Sequence, residues 1–298
     1  MKKKLLYYVA NIDFYFYRFF PKKTKKVRNY YSLDLSLFSI KILILKVINK
    51  IFNLSLSELF YICGSDKFKN YQNIYNILTS NFKKNDKINI LEIGIGSHNL
   101  SGASGGGSLI ALSLYFKNAR IYGIDLFDKS FLNIGNISTF IGDQSNRENL
   151  ENIQNQMPDL DLVIDDGSHF VDHQLLAFDV FFKVLRDNGV YVIEDTAGSY
   201  RIRNNGDPDL SDDKNIVTYF QKYVHCVNYE YLKKEYQDNL LKLKDLDSVS
   251  FFKNCVVLVK RMKKEFKNIN EEDAYLTLDQ YNQKFSKNKK KEGYIETI

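Results

Sequence analysis

The sequence predicts an α/β fold, a doubly wound, mainly parallel sheet with an antiparallel C-terminal hairpin, preceded by an N-terminal helical segment. Three observations carry this expectation. Five short, β-branched apolar runs alternate with helical patterns between residues 88 and 196, as parallel strands covered on both faces do. Each run closes on, or contains near its end, an acidic residue. The 298 residues, 44% hydrophobic and 26% charged, suit one large globular domain with an accessory segment and exclude wholesale disorder.

Taken in order, the chain begins basic and aromatic, MKKKLLYYVANIDFYFYRFF. Asp13 and Arg18 interrupt the apolar stretch and no small-residue cleavage site follows, which argues against a secretory signal. Ile40, Leu43, Ile44, Val47 and Ile51 recur at helical spacing, with Lys41, Lys46 and Lys50 elsewhere on the helix. This face is expected to pack on the main domain or a second subunit, or else to lie on a membrane surface. The lysines break the run too often for a spanning helix. The strand runs are INILEIGIG (88–96), ARIYGIDLF (119–127), STFIGD (138–143), LDLVIDDGSH (160–169) and GVYVIEDT (189–196). Helices are expected over Leu109–Tyr115, Arg147–Gln156 and His173–Leu185, and SVSFFKN and CVVLVKR (248–260) read as the closing hairpin. The polar stretch 203–215 reads as a long loop facing substrate, and the lysine-rich end as a solvated tail. The expected division is a basic N-terminal segment over 1–60, a catalytic domain over 61–265 and an extension over 266–298.

Ligands of open parallel sheets bind beyond the carboxyl ends of the strands, and burying charge is costly. Acids at Glu92, Asp125, Asp143, Asp165–Asp166 and Glu194–Asp195 therefore predict one polar site along that edge. Glu92-Ile-Gly94-Ile-Gly96 lets backbone approach a ligand closely. The third glycine of a nicotinamide fingerprint is missing, because Asn99 stands in its place. Asp125 is placed to accept ribose hydroxyls and Asp143 to face an adenine amino group, so the three strand ends point to an adenosine-containing ligand. The run Gly105–Ser108 opens a helix, whose N-terminus suits a ligand carboxylate; a plain flexible turn explains it equally well. Carboxylates converging from two adjacent strand ends favour a hard divalent cation, and loop or helix capping is the alternative. His169, three residues past Asp166, is a candidate general base. His173 is assigned a supporting role, and His98 and His225 none.

The ordered set EIGIG, YGIDLF, FIGDQSN, LVIDDGSH and VYVIEDTAGSY, with the upstream GSDK segment (Gly64–Lys67), Tyr71 and Tyr75, resembles the class I S-adenosylmethionine-dependent methyltransferases. More narrowly, it resembles the metal-dependent sugar O-methyltransferases of macrolide biosynthesis over roughly Tyr61 to Lys263. The resemblance implies a Rossmann-like sheet and an S-adenosylmethionine pocket shaped by Glu92, Gly94 and Gly96, to which the helix start at Ser108 adds its carboxylate seat. In that pocket Asp125 would bind the ribose and Asp143 would lie near adenine. It also implies Mg²⁺ on Asp166, Glu194 and Asp195, with His169 as the base. A catechol-like or other small-molecule acceptor, and a cofactor-binding, membrane-recruited partner protein without turnover, are the competing readings.

Charge bears on partners. Residues 1–50 carry twelve Lys or Arg against Asp13 and Asp34, and residues 283–298 carry five Lys against Glu292 and Glu296. Of the overall +6, the body between them carries −7, which disfavours nucleic acid as a substrate. The expected partner is a small-molecule or glycan substrate, with peripheral membrane contact through residues 1–50 and a homo-oligomer as further options. Cys63, Cys226 and Cys255 are few and scattered, which fits a reducing, cytoplasmic setting, at the inner membrane surface if the basic segment attaches there.

Overall fold

The structure, a computed structural model, describes residues 30–96, 105–210 and 214–262 together with positions 2, 4, 6, 7 and 280. A long helix α1 (Tyr30–Phe52) leads into α2 (Leu56–Cys63), α3 (Lys67–Asn70) and α4 (Gln72–Asn81). The αβ part follows as β1 (Asn89–Ile93), α5 (Gly107–Tyr115), β2 (Arg120–Asp125), β3 (Ile137–Ile141), α6 (Arg147–Gln154), β4 (Leu160–Asp165), α7 (Val171–Phe181) and β5 (Leu185–Glu194). Then come α8 (Ile216–Gln221), α9 (Lys234–Leu240), β6 (Leu246–Phe252) and β7 (Cys255–Lys260). The 266–298 extension lies outside the described residues save Gln280, as do His98 and residues 97–104 of the glycine-rich loop.

The seven strands form one sheet in the order β3-β2-β1-β4-β5-β7-β6. Strands β1 to β5 pair in parallel, and β7 runs antiparallel to both β5 and β6. The order reverses between β1 and β4, so the crevice beyond those two strand ends is where such a sheet binds ligands. Alternate residues of each strand feed two cores, as a two-residue pleat requires. Ile90, Ile121, Leu162, Ile164, Val190 and Val192 pack under α2, α4 and α5, while Leu91, Ile124, Val163, Tyr191 and Ile193 pack under α6 and α7.

Two expectations change. The third helix ends at Phe181, and Leu185 already pairs with Leu160 as part of β5. The apolar face assigned to α1 is also not the one it buries. Leu45 and Ile48 are buried in the first core with Ile42, Ile44 and Phe52 packed against it, whereas Ile40, Leu43, Val47 and Ile51 are exposed. Apolar residues surround most of this helix, so periodicity alone selected the wrong stripe. Leu6, Leu45, Leu54 and Phe60 share the core of the sheet's first face, so the division near residue 60 is one of sequence character rather than of packing.

Local signals place the segment that enters the site. Ser55 Oγ accepts from the Glu58 amide at 3.3 Å, and the Ser55 amide donates to Glu58 Oε2 at 2.9 Å, a capping box that starts α2. Gly64, at φ 79°, closes α2 in the left-handed region, where glycine pays no Cβ penalty. The chain then turns inward and carries Lys67 beneath the sheet edge.

Candidate active site

Lys67 is buried at the carboxyl edge of the sheet. Its Nζ donates to Asp166 Oδ2 at 2.7 Å and to Glu194 Oε2 at 2.6 Å, and lies 3.4 Å from Glu92 Oε1. The Tyr75 hydroxyl donates to the other oxygen of Glu194, and Ser108 Oγ donates to Glu92 Oε2 at 2.6 Å. One ammonium from the N-terminal helices thus ties together the ends of β1, β4 and β5. Burial works against the charged form of Lys67, but the attraction of Glu194, Asp166 and Glu92 holds its pKa well above the usual value. Burial pushes the Glu194 carboxyl up to about 8 against the pull of Lys67, and likewise raises Glu92. Asp165, fully buried and accepting from Gln144 Nε2 at 2.7 Å, is pushed by burial to about 7.

In front of this interior cluster stand Asp166, His169 and Asp195. Each offers one ligand atom, and the three atoms lie within 4.8 Å of one another. His169 Nε2 is 3.5 Å from Asp195 Oδ2, and His169 Nδ1 is buried with no hydrogen-bond partner among the described residues. Asp195 Oδ1 accepts from the Tyr71 hydroxyl at 2.7 Å and from the Asn254 side chain. Both His169 (φ 60°) and Asp195 (φ 55°) occupy the left-handed region. Non-glycine residues held there carry local strain, and such positions cluster at functional sites. His173 stacks on Phe170 at 5.1 Å between centroids and pairs with Ser168 Oγ at 2.9 Å.

The donor set suits a hard divalent ion, because Mg²⁺ commonly takes one or two carboxylates and completes its shell with water and substrate oxygens. Asp166 and Asp195 supply the two carboxylates. Glu194 is not brought into that group. Its two oxygens accept from Lys67 and Tyr75, which hold it behind the other two acids.

The residues expected to hold the cofactor lie along the same edge. Gly94, at φ 83°, runs so close to β4 that a Cβ there would meet the Asp166 carbonyl oxygen at 2.2 Å. A Cβ at Gly96 would meet no atom of the described residues within 4 Å, and the Gly96 carbonyl accepts from the buried Lys129 at 3.0 Å. Asp125, closing β2, accepts from the amides of Ile95 and Phe127, each at 2.9 Å. It therefore fixes the turn after β1 as well as marking a strand end. Asp143 is exposed beyond β3 and accepts from the Ser145 amide and hydroxyl. These hydrogen bonds hold its carboxyl below the usual range. Ser108 sits at the start of α5, but its hydroxyl is committed to Glu92.

Lys67, Gln144 and Asn254 were not singled out from sequence. Lys67 and Tyr75 did stand in segments quoted for the family resemblance, so a signal existed. Nothing in the sequence marks Asn254, which reaches Asp195 from the hairpin turn.

The sheet order, with its one antiparallel strand inserted next to the edge, and the acids along its carboxyl edge define a class I S-adenosylmethionine-dependent methyltransferase fold. Among proteins of that fold, those it is similar to include sugar O-methyltransferases of natural-product pathways. The chain is 31% identical over 175 residues to 8-demethyl-8-alpha-L-rhamnosyl tetracenomycin-C 2'-O-methyltransferase of Streptomyces olivaceus, covering 58% of this chain and 46% of that protein. It is 39% identical over 117 residues to Mycinamicin VI 2''-O-methyltransferase of Micromonospora griseorubida, covering 39% of this chain and 29% of that protein. The structure of MycE methyltransferase from the mycinamycin biosynthetic pathway, solved with Mg and SAH, matches with a TM-score of 0.67 at 27% identity. That match covers 78% of this chain and 59% of MycE. The aligned part spans less than two thirds of each of these proteins. No protein-family model matches the chain.

Proposed function

We propose that the chain is an S-adenosylmethionine- and Mg²⁺-dependent O-methyltransferase acting on a hydroxyl of a sugar or glycoside, in surface-polysaccharide or natural-product biosynthesis. The observation that supports it most is the convergence of Asp166, His169 and Asp195 beside the glycine turn that ends β1. MycE, solved with Mg, SAH and mycinamycin VI at a TM-score of 0.63, supports the same ligand classes. In this reading residues 61–265 form the catalytic domain, and Glu92, Gly94, Gly96, Ser108, Asp125 and Asp143 surround the cofactor. Residues 1–50 attach the protein to the inner face of a membrane. None of the described helices is long and apolar enough to cross one.

A neutral alcohol is a poor nucleophile, and a divalent cation supplies the Lewis acidity that lowers its pKa. Asp166 and Asp195 would hold that ion, and Glu194 would stay behind them, fixing Lys67. The Tyr71 and Asn254 hydrogen bonds aim the Asp195 carboxylate. His169 takes the acceptor proton at Nε2, the ring nitrogen that faces Asp195. The β1 turn and Asp125 would hold the cofactor, which would supply the methyl group and leave as S-adenosylhomocysteine, and proximity would supply much of the rate.

The Asp166→Asn variant tests this reading. Turnover of a glycoside acceptor, followed by S-adenosylhomocysteine release, should fall by roughly 100-fold or more, the upper end for loss of a group that supports a metal. Calorimetric affinity for S-adenosylhomocysteine should change only a few-fold. Activity that survives both this substitution and EDTA removes the metal from the mechanism. His169→Ala should flatten the pH–rate limb that reports the base, and an unchanged profile would reassign that role.

A further inference from the structure

On the first face of the sheet, away from the carboxyl edge, α1 and α5 flank a cavity of about 510 Å³. That volume is within the roughly 300–1,000 Å³ of small-ligand sites. Its floor is apolar, with Ile110, Leu114, Leu132 and Ile137 among the lining residues. The lining amides already have protein partners. Asn49 Nδ2 donates to the Leu114 carbonyl at 2.7 Å and Asn136 Nδ2 to the Ala119 carbonyl at 2.8 Å. Among the described residues the charged lining groups are Lys46, Lys50 and Lys117, all exposed, and none of the lining residues is a carboxylate. It combines a hydrocarbon floor with a cationic rim.

The adjoining surface has the same character. Ile40, Leu43, Val47 and Ile51 are 47%, 62%, 51% and 67% exposed. At 100° per residue these four fall within a stripe of roughly 80° on α1. Lys46 and Lys50 project between that stripe and the cavity-lining Ile42 and Asn49. An apolar ridge bordered by lysines, next to an apolar cavity with a lysine mouth, is complementary to an anionic amphiphile at a bilayer surface. The net charge of +10 over residues 1–50 favours the same occupant.

We propose that this face is a seat for an anionic bilayer. The α1 ridge lies in the interface, and the cavity takes the acyl chain of one phospholipid whose phosphate pairs with Lys46, Lys50 and Lys117. The site is separate from the strand-end acids and does not depend on methyl transfer.

The test uses the full chain without acceptor or cofactor, so its outcome is distinguishable from failure of the methyltransferase reading. The protein should co-sediment with phosphatidylcholine vesicles containing phosphatidylglycerol, not with phosphatidylcholine alone, and high salt should weaken the binding. The triple variant Lys46→Ala, Lys50→Ala, Lys117→Ala should bind on the order of 100-fold more weakly, since each lysine near an anionic surface contributes roughly a fivefold factor. Monomeric dihexanoyl phosphatidylglycerol should raise the melting temperature of the wild-type chain and not of the triple variant. Undiminished vesicle binding by the triple variant overturns the proposal, because the basic residues before Tyr30 would then carry the binding. Absence of the thermal shift in the wild-type chain overturns the cavity's role. If Leu43→Glu splits a dimer and leaves vesicle binding intact, the ridge belongs to a second copy of this chain.

Discussion

Glu194 and Asp195 are adjacent in sequence and have opposite surroundings. Glu194, the last residue of β5, is fully buried, with Lys67 on one oxygen and Tyr75 on the other. Asp195, turned out of the strand by its left-handed backbone, has a side chain 43% exposed and faces His169. The same contrast separates Glu92 and Asp165 from Asp166. The acids behind accept from a buried lysine, from hydroxyls or from the Gln144 amide, and so form a scaffold. Those in front keep the exposure a ligand needs. An acid's value to the site therefore depends on its face of the strand, and a row of strand-end acids in a sequence counts both kinds together.

The largest expected effect breaks the rear group. Lys67→Met removes the cation facing Glu92, Asp166 and Glu194, and uncompensated buried charge typically costs about 3–5 kcal/mol. Urea unfolding should show that loss. Adding Glu194→Gln to Lys67→Met should restore part of it, because one of the stranded acids is then neutral. A cost below about 1 kcal/mol, the range of an exposed ion pair, would show that Lys67 is not the centre of the scaffold. The front group should behave in the opposite way. Asp195→Asn keeps an oxygen to accept from Tyr71 and Asn254, so stability should change by less than about 1 kcal/mol. Binding of Mn²⁺, followed by its electron paramagnetic resonance signal as a probe for Mg²⁺, should weaken by roughly tenfold or more. A variant that loses stability without losing metal would merge the two groups.

This contrast also explains which parts were legible in the sequence. The sheet could be read because five apolar strands, four of them more than half buried, leave a strong pattern, and because burial excludes acids from all but their ends. Strand β7 of the closing hairpin was legible for the same reason. Lys67 was harder to read, because a buried lysine has no pattern of its own and depends on three acids distant in sequence. Asp166, Glu194 and Asp195 were expected to act together. Only the fold distinguishes them, since one residue of pleat reverses which face a side chain occupies. For α1 the limit was different. Leu45 and Ile48 go inward while Ile40, Leu43, Val47 and Ile51 stay out, and a helix with two apolar faces carries no sequence signal for which one packs.

The smallest expected effect concerns an acid outside both groups, which makes it a control for them. Asp179 on α7 accepts from Arg147 Nη2 at 2.8 Å, and Lys242 Nζ lies 3.3 Å from its other oxygen. Partial burial works against its charge, but Arg147 and Lys242 prevail and hold the carboxyl below its ordinary value of 3.8. A carboxylate depressed in the folded state contributes stability above the unfolded pKa, and that stability is lost as the pH falls through the folded value. Asp179→Asn should therefore lower stability at pH 7 by a few tenths to about 1 kcal/mol, the scale of an accessible ion pair. The difference from wild type should shrink below about pH 4 as the native carboxylate protonates. Because Asp179 touches neither Lys67 nor the strand-end acids, metal affinity and turnover should be unchanged in this variant. If they moved with stability, the loss of metal in Asp195→Asn would no longer report the site.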